Sequence, residues 1–244
     1  MLRTVIARQK GDEETFKKYI GSSLENFENQ TYDIYDVEDK VETIFHKYNL
    51  AIQKMVDEKL DDEDIVIFVH NDVRIVDELF QIKVETVFKN NKEVGLLGVV
   101  GTKKLAEIGM WWCSMPIDLK GHCIQENDGK EVHLIKGTVA YSENMIAVDG
   151  LILMIRGKLF NEGLRFDESF PGFHFYDIDL CLQVLERKYK VAVADILVLH
   201  RSVGLGSLSK EWKSNKDLFV KKWKEKGYTF PLIPESFRKV GHTK

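Results

Sequence analysis

The chain has 244 residues, 44% of them apolar and 30% charged, with a formal net charge of −4 and a pI near 6. That is the balance of a globular protein with enough chain for a sizeable core. An acidic net charge argues against nucleic acid as a partner, and three cysteines without metal-type pairing (Cys113, Cys123, Cys181) argue against a disulfide framework.

Residues 4–7 predict a short first strand. Phe16, Ile20, Leu24 and Phe27 then share one helical face, with Asp12 as the expected N-cap. A second strand over 32–37 runs into acids, Asp36, Glu38 and Asp39. Val41, Ile44, Phe45, Tyr48, Ile52 and Met55 mark a long amphipathic helix. An acidic turn over 61–64 leads into an unbroken apolar strand over 65–69, the habit of a strand buried on both faces of a parallel sheet. The order β-α-β-α-β over the first 72 residues is half of a doubly wound nucleotide-binding fold.

Asp77 opens another helix, its face traced by Leu79, Phe80, Lys83, Val84, Val87 and Phe88, and a strand follows over 94–100. From 101 to 144 the pattern loosens into glycines, Trp111-Trp112 and short polar-apolar segments, as in loops and hairpins laid over the rim of a sheet. A strand over 146–155 runs through Asp149-Gly150, and a short helix and turn over 159–170 follow. The acidic pair Asp177 and Asp179 precedes a helical run with Ile178, Cys181, Leu182 and Leu185 at helical spacing. An apolar strand then ends in His200, a glycine-serine loop spans 204–209, and a last helix passes through Trp212, Phe219 and Trp223. The expected architecture is a single α/β domain with a mixed, mostly parallel central sheet flanked by helices. Residues 1–100 make up the half that reads as nucleotide-binding, 101–210 a second half, and 211–244 a C-terminal helix and tail.

The longest apolar run, 146–155, is too short to span a membrane, and the N-terminus turns acidic too soon for a signal peptide. The expected location is the cytoplasm. Lys221, Lys222, Lys224 and Lys226 alternate with Trp223 and Glu225 and read as a solvated helix face, with peripheral contact at the inner face of a membrane as the other reading.

Asp72 closes a buried strand, where a carboxylate can hold a hard divalent cation, magnesium or manganese, against a diphosphate; it can equally cap the next helix. His70 and Asn71 beside it add polar groups. If a helix starts at the acidic pair, one of Asp177 and Asp179 can point into a cleft as a general base while the other sits on the first turn. A strand-end histidine such as His200 is either packed or a metal ligand. Asp36 and Glu38 lie where doubly wound folds contact the base or ribose of a nucleotide. Trp111 and Trp112 are either core or a stacking platform for a sugar ring. Gly204-Leu205-Gly206 lacks the third glycine of a dinucleotide fingerprint, and the chain contains neither a phosphate-loop motif nor a G-x-S-x-G elbow.

Together, the run Leu164-Arg165-Phe166-Asp167-Glu168-Ser169-Phe170, the segment Asp177-Ile178-Asp179-Leu180, the strand start Tyr189-Lys190-Val191 and the terminal His200 resemble the family 2 glycosyltransferases of the GT-A fold. The nearest subgroup is a small bacterial set grouped with a streptomycin-biosynthesis protein. In that family a G-F-D-E-x-F segment precedes E-D-x-D-L, a helix, a G-Y-x-V strand and a histidine. This chain departs from it in two acids. The D-x-D motif is reduced to His70-Asn71-Asp72, and the glutamate before the catalytic aspartate is Tyr176.

The resemblance implies inverting transfer of a sugar from a nucleotide-sugar donor to a glycan or lipid-linked hydroxyl. It implies Asp177 as base, Asp72 and His200 as ligands of manganese or magnesium, and Asp36, Glu38 and Asn71 at the nucleotide. Asp149, Gly150, Trp111, Trp112 and Asp179 would line the substrate pocket. Two other readings compete, a sugar nucleotidyltransferase and a binding or scaffold protein of the same fold that has lost turnover.

Overall fold

The computed structural model describes residues 1–25, 27, 30–37, 42–107, 109–135, 141–201 and 209–231. The first strand, β1 (Leu2–Gln9), leads into α1 (Glu13–Phe16), a π-helical stretch (Lys17–Gly21) and α2 (Ser22–Leu24). Asp12 stands at the expected N-cap position of α1 but makes no side-chain cap hydrogen bond; its carboxylate accepts from the Asn71 amide at 2.8 Å instead. After β2 (Gln30–Val37), Thr43 caps α3 (Ile44–Asp57) by accepting from the His46 N–H at 3.2 Å. Ile44, Phe45, Tyr48, Ala51, Ile52 and Met55 form the buried stripe of α3, which packs on β1 and β2.

Next come β3 (Ile65–His70), β4 (Val73–Ile75), α4 (Phe80–Asn90), β5 (Val94–Gly98) and β6 (Val100–Thr102). A 3₁₀ turn (Trp111–Cys113) and the hairpin of β7 (Leu119–Asn127) with β8 (Lys130–Ile135) fill the region expected as loops and hairpins. The chain continues through β9 (Ser142–Glu143), β10 (Ala147–Val148), β11 (Ile152–Arg156), α5 (Gly157–Asn161) and α6 (Tyr176–Glu186). It ends with β12 (Lys190–Val193), β13 (Val198–Arg201) and α7 (Lys210–Glu225).

A seven-stranded sheet has the order β2-β1-β3-β11-β5-β12-β9. Its strands β2, β1, β3, β5 and β12 share one direction, and β11 and the edge strand β9 run against them. The mixed, mostly parallel α/β sheet expected from the apolar runs is therefore present. In β3, Ile65 to Val69 are buried without exception, each contributing about 1.5–3 kcal/mol of hydrophobic stabilisation. Arg156, at the end of β11, is an exception to apolar burial. It is 3% exposed and donates to the Phe88 carbonyl (2.9 Å) and Asn91 carbonyl (3.3 Å) at the C-terminus of α4. A guanidinium there satisfies carbonyls that the helix itself leaves unpaired.

A second sheet of six strands, β10-β6-β7-β13-β4 with β8 on β7, lies beyond the first. It corrects the expectation of three long strands. The run over 94–100 divides into β5 and β6, the run over 146–155 into β10 and β11, and the last apolar run into β12 and β13. In each case one piece belongs to the seven-stranded sheet and the other to the six-stranded sheet. An apolar run reads the same in either sheet, so hydropathy does not mark the bend. The Asp149-Gly150 step falls in one such bend, between β10 and β11.

Candidate active site

The bend between the sheets opens a cavity of about 460 Å³, walled by His70, Asp149, Gly150, Tyr176, Asp177 and His200 on its polar side. Trp111, Trp112, Phe173, His174 and Trp212 also face it. β3 delivers His70 at its last position. The turn to β4 carries Asp72, and β4 pairs antiparallel with β13 so that His200 stands opposite Val73. The result is a cluster of His70, Asp72 and His200 whose nearest ligand atoms all lie within 4.8 Å of one another. Asp72 Oδ1 is 3.6 Å from His200 Nε2 and 3.9 Å from His70 Nδ1.

Two nitrogens and a carboxylate oxygen converging at that spacing are a donor set for a divalent transition metal. The fit is supported by Asp72 Oδ1, a buried oxygen with no hydrogen-bond partner. Burial raises the Asp72 carboxyl above its usual range, with His200 opposing it. Burial, with His200 second, holds the His70 imidazole down at about 3, so the ring is neutral, the form in which histidine ligates.

Tyr176 begins α6, and its hydroxyl bridges two groups. It lies 2.5 Å from His70 Nε2 and donates to the Gly150 carbonyl at 2.8 Å. One residue on, Asp177 Oδ2 accepts from the Gly150 N–H at 3.0 Å. Gly150 is required here. A Cβ would lie 2.2 Å from Tyr176 Oη and 2.9 Å from Asp177 Cβ. Burial, and then the neighbouring Asp149 charge, push the Asp177 carboxyl up to about 7. The first residue before α6, Phe175, has left-handed backbone (φ 75°, ψ 0°), an expensive conformation for a bulky side chain. Glu211 on α7 accepts from the Phe173 N–H at 3.0 Å and Asn215 donates to the Pro171 and His174 carbonyls at 2.7 and 3.0 Å, so α7 holds the loop that leads to Asp177.

Of the residues expected from sequence, the cavity collects Asp177, His200, Asp149, Gly150, Trp111 and Trp112, with Asp72 behind it in the cluster. Trp111 is 6% exposed and stands edge-on to Trp112, their ring centroids 5.8 Å apart. Asp179 does not join them. It is 1% exposed, with Oδ1 accepting from the Trp223 indole (2.8 Å) and Oδ2 from Gln183 (2.9 Å), and Lys222 pairs with it at 2.7 Å. Two positions along a helix turn through about 200°, so Asp179 faces α7 while Asp177 faces the cavity.

Asn71 is engaged by Asp12 rather than by the cavity. Asp12 borders a second, polar cavity of about 430 Å³ together with Thr15, Lys18, Glu126 and Arg201. Asp36 forms an ion pair with Arg8 Nε at 2.5 Å, which draws its carboxyl below the usual range. Glu38 lies outside the described residues, as do Asp39 and 204–208 of the glycine-serine loop. Lys222, Lys224 and Lys226 are paired with Asp167 and Asp179, Glu107 and Glu186 respectively.

Sequence reasoning underrated His70 and passed over Tyr176 as a polar contact. The available signal was a histidine and an aspartate two apart where an apolar strand ends; the turn after β3, not strand alternation, brings Asp72 beside His70.

A family described as "Glycosyltransferase like family" matches residues 5–225. No curated protein matches the sequence. Among solved structures, the chain is similar to GalNAc-T7 with UDP, GalNAc and Mn2+, at a TM-score of 0.60 and 12% identity, over 100% of this chain and 55% of that one. It is also similar to the mannosyltransferase PcManGT from Pyrobaculum calidifontis in complex with GDP-Man and Mn2+, at a TM-score of 0.54 and 10% identity, over 99% of this chain and 68% of that one. The chain thus spans about half the length of the first and two thirds of the second. At these identities the likeness is one of fold, and the fold is the GT-A type expected from sequence.

Proposed function

This chain belongs to the glycosyltransferase-like family that matches it over residues 5–225, and from that premise we propose that it moves a sugar from a nucleotide-sugar donor to a glycan or lipid-linked hydroxyl, with inversion. The observation that carries the reading is one cavity bordered by the two histidines of a His-Asp-His donor set, with Asp72 behind them, and by a carboxyl raised to a pKa of about 7. The UDP and GDP-Man with Mn2+ in the two similar structures support the donor class.

In this reading Asp177 removes the proton of the acceptor hydroxyl, and a base of that pKa is half in its competent form at neutral pH. The Gly150 N–H fixes one oxygen of the base, which limits the directions from which it can meet an acceptor. His70, Asp72 and His200 would hold the divalent ion, and two imidazoles favour manganese over magnesium. When bound, that ion supplies Lewis-acid stabilisation of the leaving diphosphate. Trp112, with the mostly buried Trp111 behind it, would border a sugar ring, and Asp149 and Gly150 would line the sugar subsite. The nucleoside end would extend toward Asn71, just past β3, and Asp36, near the end of β2. Among the described residues no helix is long and apolar enough to cross a membrane.

The test is incubation with a panel of UDP- and GDP-sugars, simple hydroxyl acceptors and Mn2+. Expected are release of one nucleoside diphosphate and a product whose anomeric configuration, read by NMR, is opposite to that of the donor. A product of unchanged configuration would refute inversion, pyrophosphate release from a nucleoside triphosphate would identify a nucleotidyltransferase, and binding without turnover would identify a scaffold.

A further inference from the structure

The two places where the sequence departs from the acids of the resembled family, His70 and Tyr176, touch each other. Tyr176 Oη meets His70 Nε2 at 2.5 Å and the Gly150 carbonyl at 2.8 Å. A phenol has one proton, and a carbonyl can only accept. Were the proton directed at His70, two oxygens would face each other at 2.8 Å with no hydrogen between them. The phenol therefore donates its hydrogen to the Gly150 carbonyl, and its oxygen accepts from His70, which must carry its hydrogen on Nε2. In a neutral ring that leaves the lone pair on Nδ1, the nitrogen 3.9 Å from Asp72 Oδ1.

We infer that Tyr176 is a positioning residue that fixes the tautomer and orientation of His70 and so makes His70, with Asp72 and His200, a third ligand of the divalent cation. The inference rests on the metal-assisted reading proposed above. The same phenol holds the carbonyl of the peptide residue whose N–H binds Asp177. A single side chain thereby ties the metal-holding cluster to the base, from which it is one residue distant in sequence. The ring itself is locked by packing, with centroids 6.2 Å from Phe45, 5.9 Å from Tyr48 and 6.1 Å from Phe166, so the hydroxyl does not depend on solvent for its position. Groups that orient a ligating histidine in this way typically contribute 10–100-fold to metal affinity.

Two measurements on the full chain test this, neither of them an activity assay. The first is the ¹⁵N NMR signature of histidine in the metal-free protein, with the His70 resonances assigned by their loss in His70→Ala. The Nε2–H tautomer is expected in the wild type, and an Nδ1–H ring would overturn the inference whatever the chain's function. The second is the affinity for Mn2+ alone, and for Mn2+ with UDP or GDP, read from the free-ion EPR signal. Tyr176→Phe keeps the ring packing and should lose 10–100-fold in Mn2+ affinity while a mixture of His70 tautomers emerges. If Mn2+ binds the wild type and Tyr176→Phe equally, the metal-assisted reading stands and this inference alone falls. If the wild type shows the Nε2–H ring yet binds no Mn2+ under any of these conditions, the metal-assisted reading falls and takes the ligand role of His70 with it.

Discussion

At neutral pH a carboxyl with a pKa of about 7 is a better base than an ordinary aspartate, because its conjugate acid is weaker, yet it still spends half its time ionised. Asp177 reaches that value through burial first and the neighbouring Asp149 charge second. Transfer should therefore lose rate as the pH falls, with kcat/KM dropping about tenfold per unit below a limb near pH 7 in a profile taken from pH 5 to 9. Asp149→Asn removes the second cause while leaving an oxygen to accept from the Leu151 N–H, and should move that limb to lower pH; an unmoved limb would assign it to another group. Asp177→Asn should cut turnover by about 10²–10⁴-fold. Its effect on stability has the opposite sign. Because the folded-state pKa is raised, the native chain binds more protons than the unfolded one between about pH 4 and 7, and the Asp177 charge costs stability as pH rises through that window. The asparagine variant should thus be about 1–2 kcal/mol more stable than wild type at pH 8, after discounting for the solvent that reaches the cavity, and no different at pH 4, as denaturant unfolding would show.

The first turn of α6 serves two purposes with two aspartates, and the elements around it decide which does which. Asp177 faces the bend between the sheets, and Asp179 faces α7, where Lys222, Trp223 and Gln183 occupy its oxygens. Removing one partner from a buried, fully bonded ion pair leaves the other groups stranded, so Asp179→Ala should cost about 3–5 kcal/mol of unfolding free energy. A cost below about 1 kcal/mol would show that the α6–α7 clasp is not formed in solution. Sequence spacing made it legible that only one of the two acids could enter a cleft, since two helical residues are far apart in angle. Which one did so depended on a tryptophan and a lysine more than 40 residues later, a tertiary contact that no local pattern encodes. The strands show the same limit. Hydrophobic runs announced β3, β5, β11 and β12, but not that three of the runs change sheets partway, because both sheets bury the same residue types. Gly150 was legible as part of a pocket, and its reason emerges only when Tyr176 is seen within 2.2 Å of where a Cβ would sit.

Across the whole molecule, the site lies at the seam between the seven-stranded sheet and the second sheet. His70 comes from the first sheet, His200 from the second, Asp72 from the turn that joins a strand of each, and Asp177 from the helix packed over β5, β10 and β12. A ligand that engages all of these groups must stabilise both sheets together, since it binds the folded arrangement and not the unfolded chain. The metal and the diphosphate should also reinforce each other. A cation held by three protein groups has coordination positions left for phosphate oxygens, and by linkage each raises the affinity of the other by the same factor. Thermal unfolding should therefore rise little with Mn2+ alone or with a nucleoside diphosphate alone, and by more than the sum of the two when both are present. At about a hundred times the dissociation constant the gain is about 2.7 kcal/mol, and for a chain of this size that is a rise of about 5–10 °C in Tm. Strictly additive shifts would mean that cation and diphosphate occupy separate places, and would remove the cation from contact with the leaving group. A synergistic shift with only one of UDP and GDP would identify the base that the donor carries, and its loss in Asp72→Asn, with Asp177→Asn unaffected, would separate the group that holds the donor from the group that activates the acceptor.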